Sequence, residues 1–170
     1  MKVVGAILLI CASTLLGIGQ ARKLYFRQSC LAGVIDSLRF IDAELKNGSV
    51  SIPDIFSELS KLSNSKLRNY YVNLNEKMKT FGEESLSEIW SGCAMNDKSI
   101  SLSGRERQEL CRVGNYLGRY SEIEQSEAIN VCISHLGEDL KRSAEKARQG
   151  AKLYTGLGLT FGLMLAAVLI

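Results

Sequence analysis

Two uncharged stretches constrain this chain more than any other feature. Residues 3–21 and residues 153–170 run for nineteen and eighteen residues without a single Asp, Glu, Lys or Arg. At ~1.5 Å per residue, each makes a helix of roughly 27–28 Å, close to the ~30 Å hydrocarbon core of a bilayer. All eighteen acidic residues, and twenty of the twenty-one basic ones, lie between the two runs. A composition of 46% hydrophobic and 23% charged residues looks ordinary only because it averages two apolar ends with a charged middle. That middle spans 131 residues, enough for one buried core. The expected layout is an N-terminal transmembrane helix over 1–21, a helical domain over 22–152 and a C-terminal transmembrane helix over 153–170.

A cleaved signal peptide is the alternative for the first run. Lys2 supplies a short basic lead, and Gly19-Gln20-Ala21 is an acceptable small-x-small cleavage site. The run is longer than a usual signal core and stays apolar nearly to its basic flank, which favours a retained anchor. Arg22, Lys23 and Arg27 follow the first run; Lys141, Arg142, Lys146, Arg148 and Lys152 lead into the second. Basic residues collect on the cytoplasmic side of membrane helices, so the central domain is expected in the cytoplasm of a double-pass protein. Cys11, Cys30, Cys93, Cys111 and Cys132 show no CxxC spacing and read as small apolar residues rather than a disulfide frame or zinc site.

Between the runs the regular signal is helical. Leu31, Val34, Ile35, Leu38, Ile41 (or Asp42) and Leu45 recur at steps of three and four, and Asn47-Gly48 offers a stop. Ser51, Pro53 and Asp54 open a second helix with Ile55, Phe56, Leu59 and Leu62 inward. A third carries Leu67, Tyr70, Tyr71, Leu74 and Met78, and a fourth, around 83–96, carries Leu86, Ile89 and Trp90. Capping boxes at Ser103-x-x-Glu106 and Ser121-x-x-Glu124 open the last two. The final helix, with Ile129, Cys132 or Ile133, Leu136 and Leu140 inward, is expected to continue into the second anchor. The fold class is therefore all-α, a membrane-anchored bundle of about six helices.

No catalytic constellation stands out. His135 is the lone histidine, and no HExxH or Walker loop occurs. Gly156, Gly158 and Gly162 have the wrong spacing for a dinucleotide fingerprint. Gly158, Gly162 and Ala166 instead form a ridge of small residues, matched by Ser13, Gly17 and Ala21, through which the anchors could pack together or onto a partner. A net charge of +3, with bases and acids interleaved and no aromatic–basic module, argues against a nucleic-acid partner. The basic cluster before the second run is explained by topology and by attraction to membrane lipid.

The stretch VGNYLGRYSEIEQ, residues 113–125, resembles the L-G-x-x-L-G-x-S-D-x-x-x-Q pattern of the stage III sporulation protein AB family. Gly114, Leu117, Gly118 and Gln125 fit; Tyr120 and Ser121 replace the usual Ser-Asp, and Ser121 keeps the capping chemistry. Glu44, Pro53 and Leu59 match an earlier stretch of the pattern, and the closing GAKLYTGLGL resembles its K-L-Y-R-x-L-G anchor. The resemblance implies a non-catalytic platform in a secretion-like channel between the mother cell and forespore of an endospore-forming bacterium. It implies residence in the mother-cell outer forespore membrane, and a central domain similar to the cytoplasmic domains of type II secretion and type IV pilus platforms. The implied partners are a cytoplasmic ATPase, stage III sporulation protein AA, other membrane proteins of the same operon, and further copies of the chain. No cofactor or small-molecule substrate is implied. Gly114 and Gly118 are expected to end one helix and start a tight turn, with Ser121 opening the helix that reaches the bilayer.

Two other classes compete. A platform of a general secretion or pilus system would look the same outside sporulation. A membrane-tethered enzyme would need paired acids such as Asp42 and Glu44, but residues two apart lie on different helix faces.

Overall fold

The computed structural model describes the backbone of residues 2–48, 50–62, 65–80 and 84–169, and side chains throughout 22–150 apart from 49, 62–66 and 80–83. Among the described residues there are six α-helices and no β-strand: α1 (Lys2–Asn47), α2 (Ile52–Leu62), α3 (Ser65–Lys77), α4 (Leu86–Asn96), α5 (Gly104–Tyr116) and α6 (Glu122–Leu169). The all-α expectation with six helices holds. Both long helices run without a break from the terminal segments into the central domain, as was expected of the last one. Met78 departs from expectation: it lies in a short 3-10 turn (Met78–Thr80) that closes α3.

The chain divides into two compact units, one formed by Met1–Gln28 with Lys141–Ile170, the other by Ser29–Leu140. In the second unit the apolar faces read from the sequence meet in one core. Leu31, Leu38 and Ile41 of α1, Ile55 and Phe56 of α2, Leu67 and Leu74 of α3, and Ile129 and Leu136 of α6 are almost wholly buried there. The alternatives left open resolve by burial: Ile41 and Cys132 point inward, while Asp42 and Ile133 are half-buried. Phe56 stacks on Trp90 at 5.5 Å between ring centroids, and Tyr70 meets Tyr71 edge-on at 5.1 Å. Cys30, Cys93 and Cys132 are buried free thiols and Cys111 is a half-buried one. Burial and the neighbouring Glu109 carboxylate push the Cys132 thiol up to about 12, which keeps it protonated and inert.

α4 begins at Leu86, later than the periodicity placed it, because Ser85 caps it. The Ser85 N–H donates to Glu88 Oε2 at 2.8 Å and the Glu88 N–H donates to Ser85 Oγ at 3.3 Å, a capping box that the sequence carries as Ser85-x-x-Glu88. The box expected at Ser103 and Glu106 forms too, and it accounts for one buried acid, since Glu106 is 1% exposed.

Among the described residues no helix is long and apolar enough to cross a membrane. Most of the two uncharged runs, where the sequence places the anchors, falls outside the residues whose side chains are described.

Candidate functional site at the turn into the last helix

The residues of the 113–125 stretch lie at and beside the turn from α5 to α6. Leu117 caps α5, its N–H bonded to the Val113 carbonyl at 3.1 Å and its side chain fully buried. Gly118 follows at φ +73, a left-handed conformation that L side chains adopt only with strain. Space is tight there as well: a Cβ would sit 3.1 Å from Leu86 Cδ2, which would have to give way slightly, and 3.4 Å from Ile52 Cδ1. The chain turns, and Ser121 starts α6: its N–H donates to Glu124 Oε2 at 3.0 Å and its Oγ accepts from the Glu124 N–H at 3.4 Å.

Gln125 holds this corner closed. Its Oε1 accepts from the Gly118 N–H at 3.1 Å and its Nε2 donates to the Tyr120 carbonyl at 2.7 Å. Only an amide side chain offers both an acceptor and a donor in this fork, which explains glutamine at the end of the motif. The bond to residue 120 uses its backbone, so replacing the usual serine by Tyr120 leaves the clamp intact. The Tyr120 ring instead lies exposed beside Tyr116, 5.1 Å between centroids.

Gly114 does not end the helix. It lies inside α5, and its requirement comes from a neighbour: a Cβ there would stand 2.4 Å from Trp90 Cδ1 and 2.9 Å from Trp90 Cγ. Trp90 cannot easily yield, since its Nε1 donates to the Leu110 carbonyl at 2.6 Å on the same helix. The first glycine of the motif is thus a packing surface for tryptophan, and only the second makes the turn.

Beside the corner opens an apolar groove of about 600 Å³ floored by Ile52, Met78, Leu86 and Leu117 and bordered by Pro53, Gly118, Glu88 and Arg119. The structure therefore brings Pro53, Leu117 and Gly118 to one surface, with Ser121 and Gln125 in the adjoining turn. Glu44 lies elsewhere on α1, half-buried. Asp42 has a different task from the acid–base role weighed for it. Ser126 Oγ donates to its Oδ1 at 2.5 Å and Lys46 Nζ to its Oδ2 at 2.7 Å, so its carboxylate ties α1 to α6. Burial would raise its pKa, but the bonds from Lys46 and Ser126 outweigh it and hold the group below the ordinary carboxylate range. His135 Nδ1 lies 3.2 Å from Glu109 Oε2 on α5, a tie between the last two helices. Among the described residues no group of three or more His, Cys, Asp and Glu is placed to hold a metal ion.

In the other unit Arg22, Lys23, Lys146 and Arg148 are exposed and Arg27 is half-buried. The side-chain surroundings of Lys152, Gly158 and Gly162 lie outside the described residues. Sequence reasoning missed Arg107 altogether. Its guanidinium donates to the carbonyls of Ala94 (2.6 Å), Ile100 (2.8 Å), Leu102 (3.3 Å) and Met95 (3.4 Å), lacing the connection between α4 and α5. No local pattern signals this, because the partners are backbone carbonyls whose convergence depends on the fold.

Comparison with known proteins bears on the chain as a whole. A family model described as stage III sporulation protein AB matches residues 2–170. The stage III sporulation protein AB of Bacillus subtilis (strain 168) is 24% identical over 177 residues, covering 99% of each chain. No solved structure matches the chain. Matched along almost its whole length, the chain belongs to the stage III sporulation protein AB family.

Proposed function

We propose that this chain is a non-catalytic platform subunit of a secretion-like channel between mother cell and forespore. Two transmembrane helices hold it in the mother-cell outer forespore membrane, and its central domain, in the cytoplasm, couples an ATPase to the membrane complex. Membership of a sporulation family supports the setting. The observation that carries the mechanical reading is the corner: the family's signature residues cap, turn and clamp the entry to α6 rather than presenting a reacting group. A clamped turn passes a displacement of α5 into the 48-residue helix that follows, because a continuous helix resists bending far more than a loop does. The apolar groove beside that turn is the surface at which a partner would act on it.

The expected partners are the sporulation ATPase, stage III sporulation protein AA, and other membrane proteins of the same operon. Photo-crosslinkers placed at Pro53 and Arg119 in sporulating cells test this. Adducts with the ATPase are expected; adducts only with membrane proteins would leave a passive scaffold. Topology is tested separately with a cysteine placed at Met95, which is 48% exposed. It should react with an impermeant thiol reagent once the mother-cell membrane alone is opened, and reaction only after the forespore membranes are opened too would overturn the cytoplasmic placement.

A further inference from the structure

The net charge of +3 conceals a sharp division between the two units. Within 29–140 there are twelve basic residues against seventeen acidic ones, a net −5. Residues 1–28 and 141–170 hold nine basic residues against Glu145 alone, a net +8. Burial orients that excess. In the segment after Lys141 the inward residues are Ser143 and Ala147, at 9% and 0% exposure, which turns Lys141, Arg142, Lys146 and Arg148 to the surface. On the other helical segment Arg22 and Lys23 are exposed, and so are the rings of Tyr25 (51%) and Phe26 (39%).

We infer that these residues form a collar that binds anionic phospholipid headgroups, drawing acidic lipid around the chain. The inference rests on the membrane-anchored reading above and adds to it a class of lipid and the side chains that select it. Position along the helix favours a lipid over an acidic protein. Arg22, Lys23, Arg27, Lys146 and Arg148 lie within about 11 Å, measured along the helix axis, of an uncharged run. That distance is about the depth of a headgroup layer plus a short screening length. Exposed aromatic rings among the cations match the composition of a membrane–water boundary, where a ring is half in hydrocarbon and half in water. Both Lys and Arg donate to phosphate oxygens.

The test uses the full chain reconstituted in phosphatidylcholine vesicles doped with spin-labelled phosphatidylglycerol or spin-labelled phosphatidylcholine. The motionally restricted fraction of each lipid gives their relative association with the protein. A preference for phosphatidylglycerol of about threefold or more is expected, since each basic residue near the surface favours an anionic lipid by up to roughly fivefold. The R22Q/K23Q/K146Q/R148Q variant should bring the preference close to one, with helicity unchanged by circular dichroism. High salt should do the same to the unaltered chain, a readout independent of any substitution. Equal association of the two lipids would overturn the collar, as would a preference that survives neutralisation. A change in oligomeric state without lipid preference would show that the cations serve another copy's acidic domain, and would overturn it too. A carbonate wash separates the two readings: a chain stripped from the vesicles refutes the anchors and the collar together, whereas a retained chain with no preference refutes the collar alone.

Discussion

The connection from α4 to α5 and the connection from α5 to α6 are each tied by a side chain of the helix that follows. Arg107 ties the first and Gln125 the second. Arg107 is donor-only and gathers the free carbonyls at the end of α4 together with those of the loop after it. Asp97 and Ser99 brace the same loop, the Ser99 N–H donating to Asp97 Oδ1 at 2.7 Å, and Ile100 plugs it into the core at 1% exposure. Gln125 both accepts and donates, and works only because Gly118 takes a left-handed conformation beside it. A longer loop is held by charge and many weak partners; a tight turn is held by two bonds and one obligatory glycine. The second arrangement leaves a signature in sequence, and the first does not.

Substitutions can break this contrast, and the largest effect is expected at Gly118. Gly118→Val combines a strained φ with a clash on Leu86 and should cost about 2–5 kcal/mol in denaturant unfolding of the detergent-solubilised chain. Gly118→Asn, which tolerates the same φ, should cost distinctly less. In cells the valine variant should block mature spore formation; normal spores would remove the corner from the mechanism. Gly114→Ala should cost about 1–3 kcal/mol by overpacking against Trp90, and less in a Trp90→Leu background. Additive costs would mean that the tryptophan contact is not the reason for this glycine.

Arg107→Ala should also lose about 1–3 kcal/mol, by leaving carbonyls without donors, and Arg107→Lys should recover little because an ammonium cannot span four carbonyls. Full rescue by lysine would make the tie one of charge alone. Gln125→Leu keeps the bulk and removes both bonds, at about 1–2 kcal/mol. The smallest effect is on pH. Burial raises the Asp97 carboxyl, but bonds from Ser99 and Asn73 and the charge of Arg107 outweigh it and hold its pKa below the ordinary value. A carboxyl lowered on folding stabilises the fold above its unfolded pKa, about 3.9, and that contribution disappears as pH falls through the folded value. Asp97→Asn should therefore flatten the loss of stability below about pH 4, seen as a shallower fall in thermal midpoint.

How legible each part was follows from the range of the interaction that fixes it. The helices, their inward faces and their starts were readable because each depends on neighbours three or four residues away: Leu31 to Leu45 on α1, Ser103 with Glu106, Ser121 with Glu124. Ser85 with Glu88 carried the same signal. The turn at Gly118 was legible through the family pattern, but its partner contacts were not. Gly114 looked like a helix end because glycine often is one, and only Trp90, held 24 residues earlier on another helix, shows that it is a packing site. Helix geometry already separated Asp42 from Glu44, but its actual partner, Ser126, 84 residues away, was not readable from the sequence.

From its sequence alone, this protein is settled as a set of helices with uncharged segments at both ends and a charged middle, because periodicity, capping and charge spacing are local properties of the chain. The fold alone decides which helix face meets which, and therefore why two glycines four residues apart serve unlike ends. It also decides that cations at opposite ends of the chain belong to one unit, while the acidic residues between them form another. The physical reason is that close packing and charge grouping depend on distances between residues far apart in the chain, and those distances exist only once the backbone has closed on itself.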